Sequence, residues 1–143
     1  MCLGQSLDLD AENRTISLPE LELIHRNKTG ALIKAAIQLG ALAAGDAGIE
    51  QLPKLEAFAD KIGLAFQVQD DILDITSDTK TLGKPQGSDV ELNKSTYPAL
   101  LGLDGAKKKA SELLRQALLE LESVPYNTEL LEQFACYVVE RNN

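Results

Sequence analysis

The stretch from about Gln51 to Ile75 constrains the fold most. Within it Leu55, Ala59, Ile62 and Phe66 recur at the helical period, joined by Phe58, Ala65 and Ile72. The pattern predicts a helix of roughly 35 Å. Gly63 sits in its interior, at about 1 kcal/mol against alanine, so a second helix is expected to pack closely there.

The rest of the chain reads the same way. Leu and Ala dominate, Trp is absent, and aromatic residues make up 4% of the 143 residues. Strong helix formers without β-branched or aromatic runs point to an all-α fold. A short helix is expected from Met1 to about Leu9, and a second after Pro19, a residue suited to a first helical turn. A third is expected from about Asn27 to Ala44, with Ala31, Ala35, Leu39 and Leu42 as its apolar stripe, ended by the Gly45–Gly48 cluster. Ser77 to Asn93, with Gly83, Pro85 and Gly87, reads as a loop. A short helix near Tyr97–Leu103 follows, then one capped by Asp104 that runs to about Glu122. The last is capped by Asn127 or Thr128, with Leu130, Leu131, Phe134, Val138 and Val139 as its apolar face.

Charge narrows the function. Fourteen basic against 22 acidic residues leave a net −8. That excludes a general nucleic-acid binder, which needs a basic face. An anionic substrate would need local lysines or a bound metal. No apolar run approaches the ~20 residues of a membrane span. No basic-then-apolar leader pattern is visible, and Cys2 and Cys136 stand outside any metal-ligand spacing, so both are expected as free buried thiols in a reducing cytoplasm. The one histidine, His25, is expected to be partly buried and structural.

The conspicuous chemistry lies in Gln67-Val68-Gln69-Asp70-Asp71-Ile72-Leu73-Asp74. Asp70 and Asp74 are four apart on one helix face, and Asp71 lies three before Asp74. Three carboxylates late in a helix repel one another and oppose its dipole. Something should compensate them, and a hard cation such as Mg²⁺, which bridges carboxylates to phosphates, would do so. A solvated acidic face is the other reading of such a motif. Lys28-Thr29-Gly30, Gly83-Lys84 and Lys94-Ser95-Thr96 favour the first, because lysines are good partners for phosphate oxygens.

Phe66-Gln67-x-x-Asp70-Asp71-x-Leu73-Asp74 resembles the second aspartate-rich motif of the trans-isoprenyl diphosphate synthases, the polyprenyl synthetase family. Gly4-Gln5-x-x-Asp8-Leu9, Lys28-Thr29-Gly30, Gly83-Lys84-x-x-Gly87-x-Asp89 and Lys94-Ser95-Thr96-Tyr97-Pro98 stand in family order around it. The motifs are most similar to those of bacterial members that make farnesyl diphosphate. Asn93 departs from the glycine usual before the family's lysine. The resemblance implies an isoprenoid-synthase-type helical bundle, of which this chain is the C-terminal half, without the first aspartate motif. It implies condensation of an allylic diphosphate with isopentenyl diphosphate through Mg²⁺-assisted ionisation to a carbocation. By that resemblance Asp70, Asp71 and Asp74 hold the metal, and Lys28, Lys84 and Lys94 bind diphosphate. Thr29 and Gln67, with the Lys28 carbonyl, place partial negative charge near the cation, and Gln5 and Asp8 support the site. Such a half-fold is expected to be inactive alone. It is also expected to self-associate, as a homo-oligomer (dimer), or to repack so that Ile62 and Phe66 are hidden.

Overall fold

A computed structural model describes residues 1–77 and 95–141. Among these the elements are helical: α1 (Cys2–Asp10), α2 (Leu18–His25), a π-helical turn (Arg26–Gly30), α3 (Ala31–Ala43), α4 (Asp46–Thr76), α5 (Tyr97–Glu122) and α6 (Glu129–Glu140). The all-α expectation holds. The predicted loop from Ser77 to Asn93 falls, beyond Ser77, outside the described residues.

The α4 helix is the long element that the periodicity predicts. It starts earlier than expected, at Asp46, because only Ala44 and Gly45 form the turn; Pro53 is carried inside it. Phe58, Ile62, Ala65, Val68 and Ile72 form its buried stripe. The α5 helix lies against it with Ala106, Ala110, Leu113, Ala117 and Leu121, mostly small residues at helical spacing. Bulky residues on α4 thus meet alanines on α5, which lets the two axes come close. The α3 and α6 helices pack on other flanks of α4. Ile62 is fully buried within this chain, and Phe66 lies under the Arg141 side chain.

The α2 and α3 helices are one run rather than the two separate stretches expected. The π-turn carries the chain from one into the other without a break. At the start of α2 the Ser17 backbone N–H donates to the Glu20 carboxylate at 2.8 Å, half of a capping box that the Ser17-x-x-Glu20 spacing encodes. The α5 break falls at Gly102 (φ 73, ψ 162), two residues before the expected cap Asp104. Left-handed φ is open to glycine at no steric cost, so the kink goes there.

Two apolar faces differ from expectation. On α3 the inward residues are Ile33, Ile37 and Ala41, whereas Leu39 is 68% exposed and Leu42 is also exposed. On α6, Ala135 and Val138 are buried, while Leu130 is 79% exposed and Phe134 is exposed. Both helices are apolar over more than one face, so periodicity alone does not select the face that turns to α4. Cys2 is exposed, not buried, and Cys136 is half-buried; both are free.

Glycines set the close approaches around the π-turn. A Cβ at Gly63 would stand 2.9 Å from the Cα of Gly30, and one at Gly4 would overlap the backbone of Asn27 and Lys28. The π-turn is therefore gripped by α4 on one side and α1 on the other. We expect Gly63→Ala to destabilise the chain by about 1–3 kcal/mol through overpacking, despite alanine's better helix propensity. Gly40→Ala on α3, where nothing lies within 4 Å, is expected to stabilise by up to about 1 kcal/mol. Urea denaturation of both variants checks the pair, and equal shifts would remove the close-packing argument.

Candidate active site

The π-turn gives the site its shape. A wider turn rotates the residues after it relative to those before, and such turns cluster at functional positions. It presents Lys28 and Thr29 toward the middle of α4. Thr29 Oγ1 donates to Gln67 Oε1 at 3.2 Å. Lys28 Nζ is 2.6 Å from Asp8 Oδ2 on α1. A cavity of about 200 Å³ opens beside them, with Asp8, His25, Lys28, Gln67, Asp70 and Asp71 among its walls. Residues from four separate segments thus converge, as the motif order implies. Gln5, expected to support the site, is exposed on α1.

The three aspartates have three environments. Asp70 is the open one, with its side chain 47% exposed. Its Oδ1 lies 3.5 Å from Nη2 of Arg141. Asp71 is buried, and its Oδ2 accepts a hydrogen bond from the backbone N–H of Tyr97 at 2.9 Å. That N–H is the first of α5, so Asp71 meets the positive end of a helix dipole. Asp74 is 2% exposed and stands away from the cavity wall. Part of the compensation that the sequence argument assigned to a cation therefore comes from the protein: Arg141 for Asp70 and the α5 N-terminus for Asp71.

Among the described residues no three His, Cys or carboxylate groups converge as a metal cluster. Asp70 and Asp71 together still offer hard oxygen donors to the cavity. Mg²⁺ takes one or two carboxylates and fills its shell with water and phosphate oxygens, so the donor set fits that ion. Lys84 and Lys94 lie outside the described residues.

The segment after Lys94 adds Ser95 and Thr96 to the cavity wall. Ser95 Oγ accepts from Ile16 N at 3.3 Å, and Thr96 Oγ1 caps α5 by accepting from Ala99 N at 3.3 Å. Pro98 fits the first turn of that helix. The Tyr97 ring is fully buried and stacks on His25, with centroids 5.8 Å apart. His25 is pushed down to about 4, chiefly by burial; Gln67, Asp8 and Asp70 act the other way. Burial raises the Tyr97 phenol too, helped by Glu22 and Asp71. Both side chains are thus neutral near pH 7.

Arg141 is the residue that motif reading misses. It lies 71 positions from Asp70, and nothing in its local sequence marks it. The Asp71–Tyr97 bond is equally hidden, although both residues sit inside recognised motifs.

The sequence profile of the polyprenyl synthetase family matches residues 1–132. The farnesyl diphosphate synthase of Escherichia coli is 59% identical across 99% of this chain, which covers 48% of that protein. The solved heptaprenyl diphosphate synthase of Staphylococcus aureus superposes with a TM-score of 0.90 at 25% identity, over 99% of this chain and 56% of that one. A geranyltransferase from Helicobacter pylori, solved with magnesium and isoprenyl diphosphate, gives 0.81 at 36% identity, over 97% of this chain and 45% of that one. The chain spans about half the length of the relatives it matches. Among the described residues no helix is long and apolar enough to cross a membrane.

His25 offers a direct check on the burial of this wall. Its folded pKa lies below the ordinary value, so the unfolded chain binds more protons between the two. Its contribution to stability is complete above about pH 6.5. It falls as pH drops toward 4, at up to about 1.4 kcal/mol per unit. As the only histidine, its ring signals are unambiguous by NMR. A titration midpoint well below 6 is expected, and a midpoint near 6.5 would mean an open imidazole.

Proposed function

Because the chain belongs to the polyprenyl synthetase family, we propose that it serves a prenyltransferase that joins an allylic diphosphate to isopentenyl diphosphate and yields farnesyl diphosphate. Relatives of this family are prenyl diphosphate synthases, and the allylic partner we assign is geranyl or dimethylallyl diphosphate. The observation that carries the reading is the meeting of Lys28, Thr29, Gln67, Asp70 and Asp71 around one cavity and its rim. In this reading the chain is the C-terminal part of a polyprenyl synthetase domain and contributes one of two aspartate motifs. The 59% identity to the E. coli enzyme supports farnesyl diphosphate as the product, with a longer prenyl chain as the alternative.

The residues divide the work by charge. Asp70, with Asp71 beside it, would hold Mg²⁺, and Asp74 supports them from the buried side of α4. Bound Mg²⁺ supplies Lewis-acid pull on the leaving diphosphate. Lys28 presents its ammonium to diphosphate oxygens, and Asp8 steers it at 2.6 Å. Lys84 and Lys94 are assigned to the same diphosphate on the motif resemblance alone. Thr29 holds the Gln67 carbonyl oxygen in place, so that a fixed negative dipole faces the developing allylic cation. Preorganised dipoles of this kind stabilise charge as it forms without reorganising. A homo-oligomer is part of the same reading, supported by the exposed Leu39, Leu42, Leu130, Phe134 and Tyr137.

A second reading is an acidic helical interaction module that keeps the motifs by descent. The pairing of Asp70 with Arg141 and of Asp71 with Tyr97 supports it, since the protein already compensates both carboxylates.

Calorimetric titration with inorganic pyrophosphate separates the two. Binding is expected only with Mg²⁺ present, weakened about tenfold or more by Asp70→Asn and by Lys28→Met. Absent or Mg²⁺-independent binding would favour the interaction module. The chain alone is expected to turn over no geranyl diphosphate with isopentenyl diphosphate, because it carries a single aspartate motif. Incorporation of labelled isopentenyl diphosphate by the purified chain would overturn that.

A further inference from the structure

Arg141, just past the end of α6, is held by α4 at several points. Its backbone N–H donates to Tyr137 O, and its carbonyl accepts from Gln69 Nε2 at 3.0 Å. Its guanidinium carbon lies 4.3 Å from the centre of the Phe66 ring. Nη2 reaches to 3.5 Å from Asp70 Oδ1. The side chain is only 12% exposed, and Nε is buried. Phe66, Gln69 and Asp70 are spaced i, i+3 and i+4, so one face of α4 receives the whole residue.

The strengths of these contacts are unequal. A cation over an aromatic face and a backbone hydrogen bond fix the arginine. At 3.5 Å the contact with Asp70 is at the outer edge of hydrogen bonding and acts mainly through charge. The guanidinium therefore keeps its place whether or not Asp70 takes another partner. A divalent ion on Asp70 would then sit beside a fixed positive charge.

We propose that Arg141 is a positioning residue that makes cation binding at Asp70 depend on diphosphate. It rests on the metal-assisted reading above. The guanidinium repels a lone divalent ion on Asp70. A diphosphate relieves that repulsion, because its oxygens neutralise the ion and the arginine together. Metal and diphosphate then enter as a unit, and Asp70 is not left loaded with an ion alone.

Mn²⁺ titration of the full chain, followed by electron paramagnetic resonance, tests this with and without inorganic pyrophosphate. Arg141→Gln is expected to bind Mn²⁺ alone roughly tenfold more tightly than the parent, and to gain less from added pyrophosphate. Arg141→Lys, which keeps the charge, is expected to stay near the parent. In an Asp70→Asn background the Arg141→Gln change should have no effect. Circular dichroism confirms that each variant is folded. Unchanged or weaker Mn²⁺ binding by Arg141→Gln overturns the proposal while leaving the metal reading intact. So does a gain that persists in Asp70→Asn. Failure of every variant to bind Mn²⁺, even with pyrophosphate, overturns the metal reading itself and the proposal with it.

Discussion

The site depends on three backbones meeting at Arg26–Gly30. Gly4 brings α1 onto the π-turn, and Gly63 brings α4 onto its far edge at Gly30. Backbone against backbone is the tightest packing a helical protein can make, and only glycine permits it. Held from both sides, the turn keeps a widened geometry that an isolated helix would relax. Lys28 and Thr29 are aimed by that geometry, one at Asp8 and the other at Gln67. The backbone that carries Lys28 and Thr29 is thus set by glycine contacts that involve no polar side chain.

Electrostatics forms a second layer on this frame. Consecutive acids near the C-terminal end of a long helix are unfavourable in isolation. The fold answers two of them separately, with a helix N-terminus for Asp71 and an arginine for Asp70, while Asp74 is buried. Adjacent residues of one motif thereby acquire different chemistry. Asp70 stays open toward the cavity, Asp71 joins two helices, and Asp74 turns to the interior. Among the described residues the cavity wall carries four carboxylates and one lysine, so in a chain of net charge −8 a diphosphate there would depend on the divalent ion proposed above.

Much of this was legible in the sequence. The 3.6-residue period marked α4, and the Gly63 anomaly marked its contact with a second helix. Of the motif residues, Lys28, Thr29, Gln67, Asp70 and Asp71 do come together, whereas Gln5 and Asp74 stand apart from the cavity. Three things were not legible. The inward faces of α3 and α6 depend on a partner surface that periodicity does not contain, so Leu39 and Leu130 read as core and are exposed. The union of α2 and α3 turns on one extra residue in a helical turn, a change too small to alter the apolar pattern. Arg141 meets Asp70 only because α6 returns along α4, and that tertiary fact has no local trace.

The hydrogen bond from Tyr97 to Asp71 carries a consequence beyond the site. One carboxylate completes the start of α5 and also faces the cavity. Two structural demands therefore meet at position 71. A chain with no catalytic role would still be constrained to an acceptor there, because the Tyr97 N–H at the seam between α4 and α5 needs one. An aspartate at that position is a matter of architecture as much as of chemistry, whereas Asp70 meets, among the described residues, only the Arg141 side chain, at 3.5 Å.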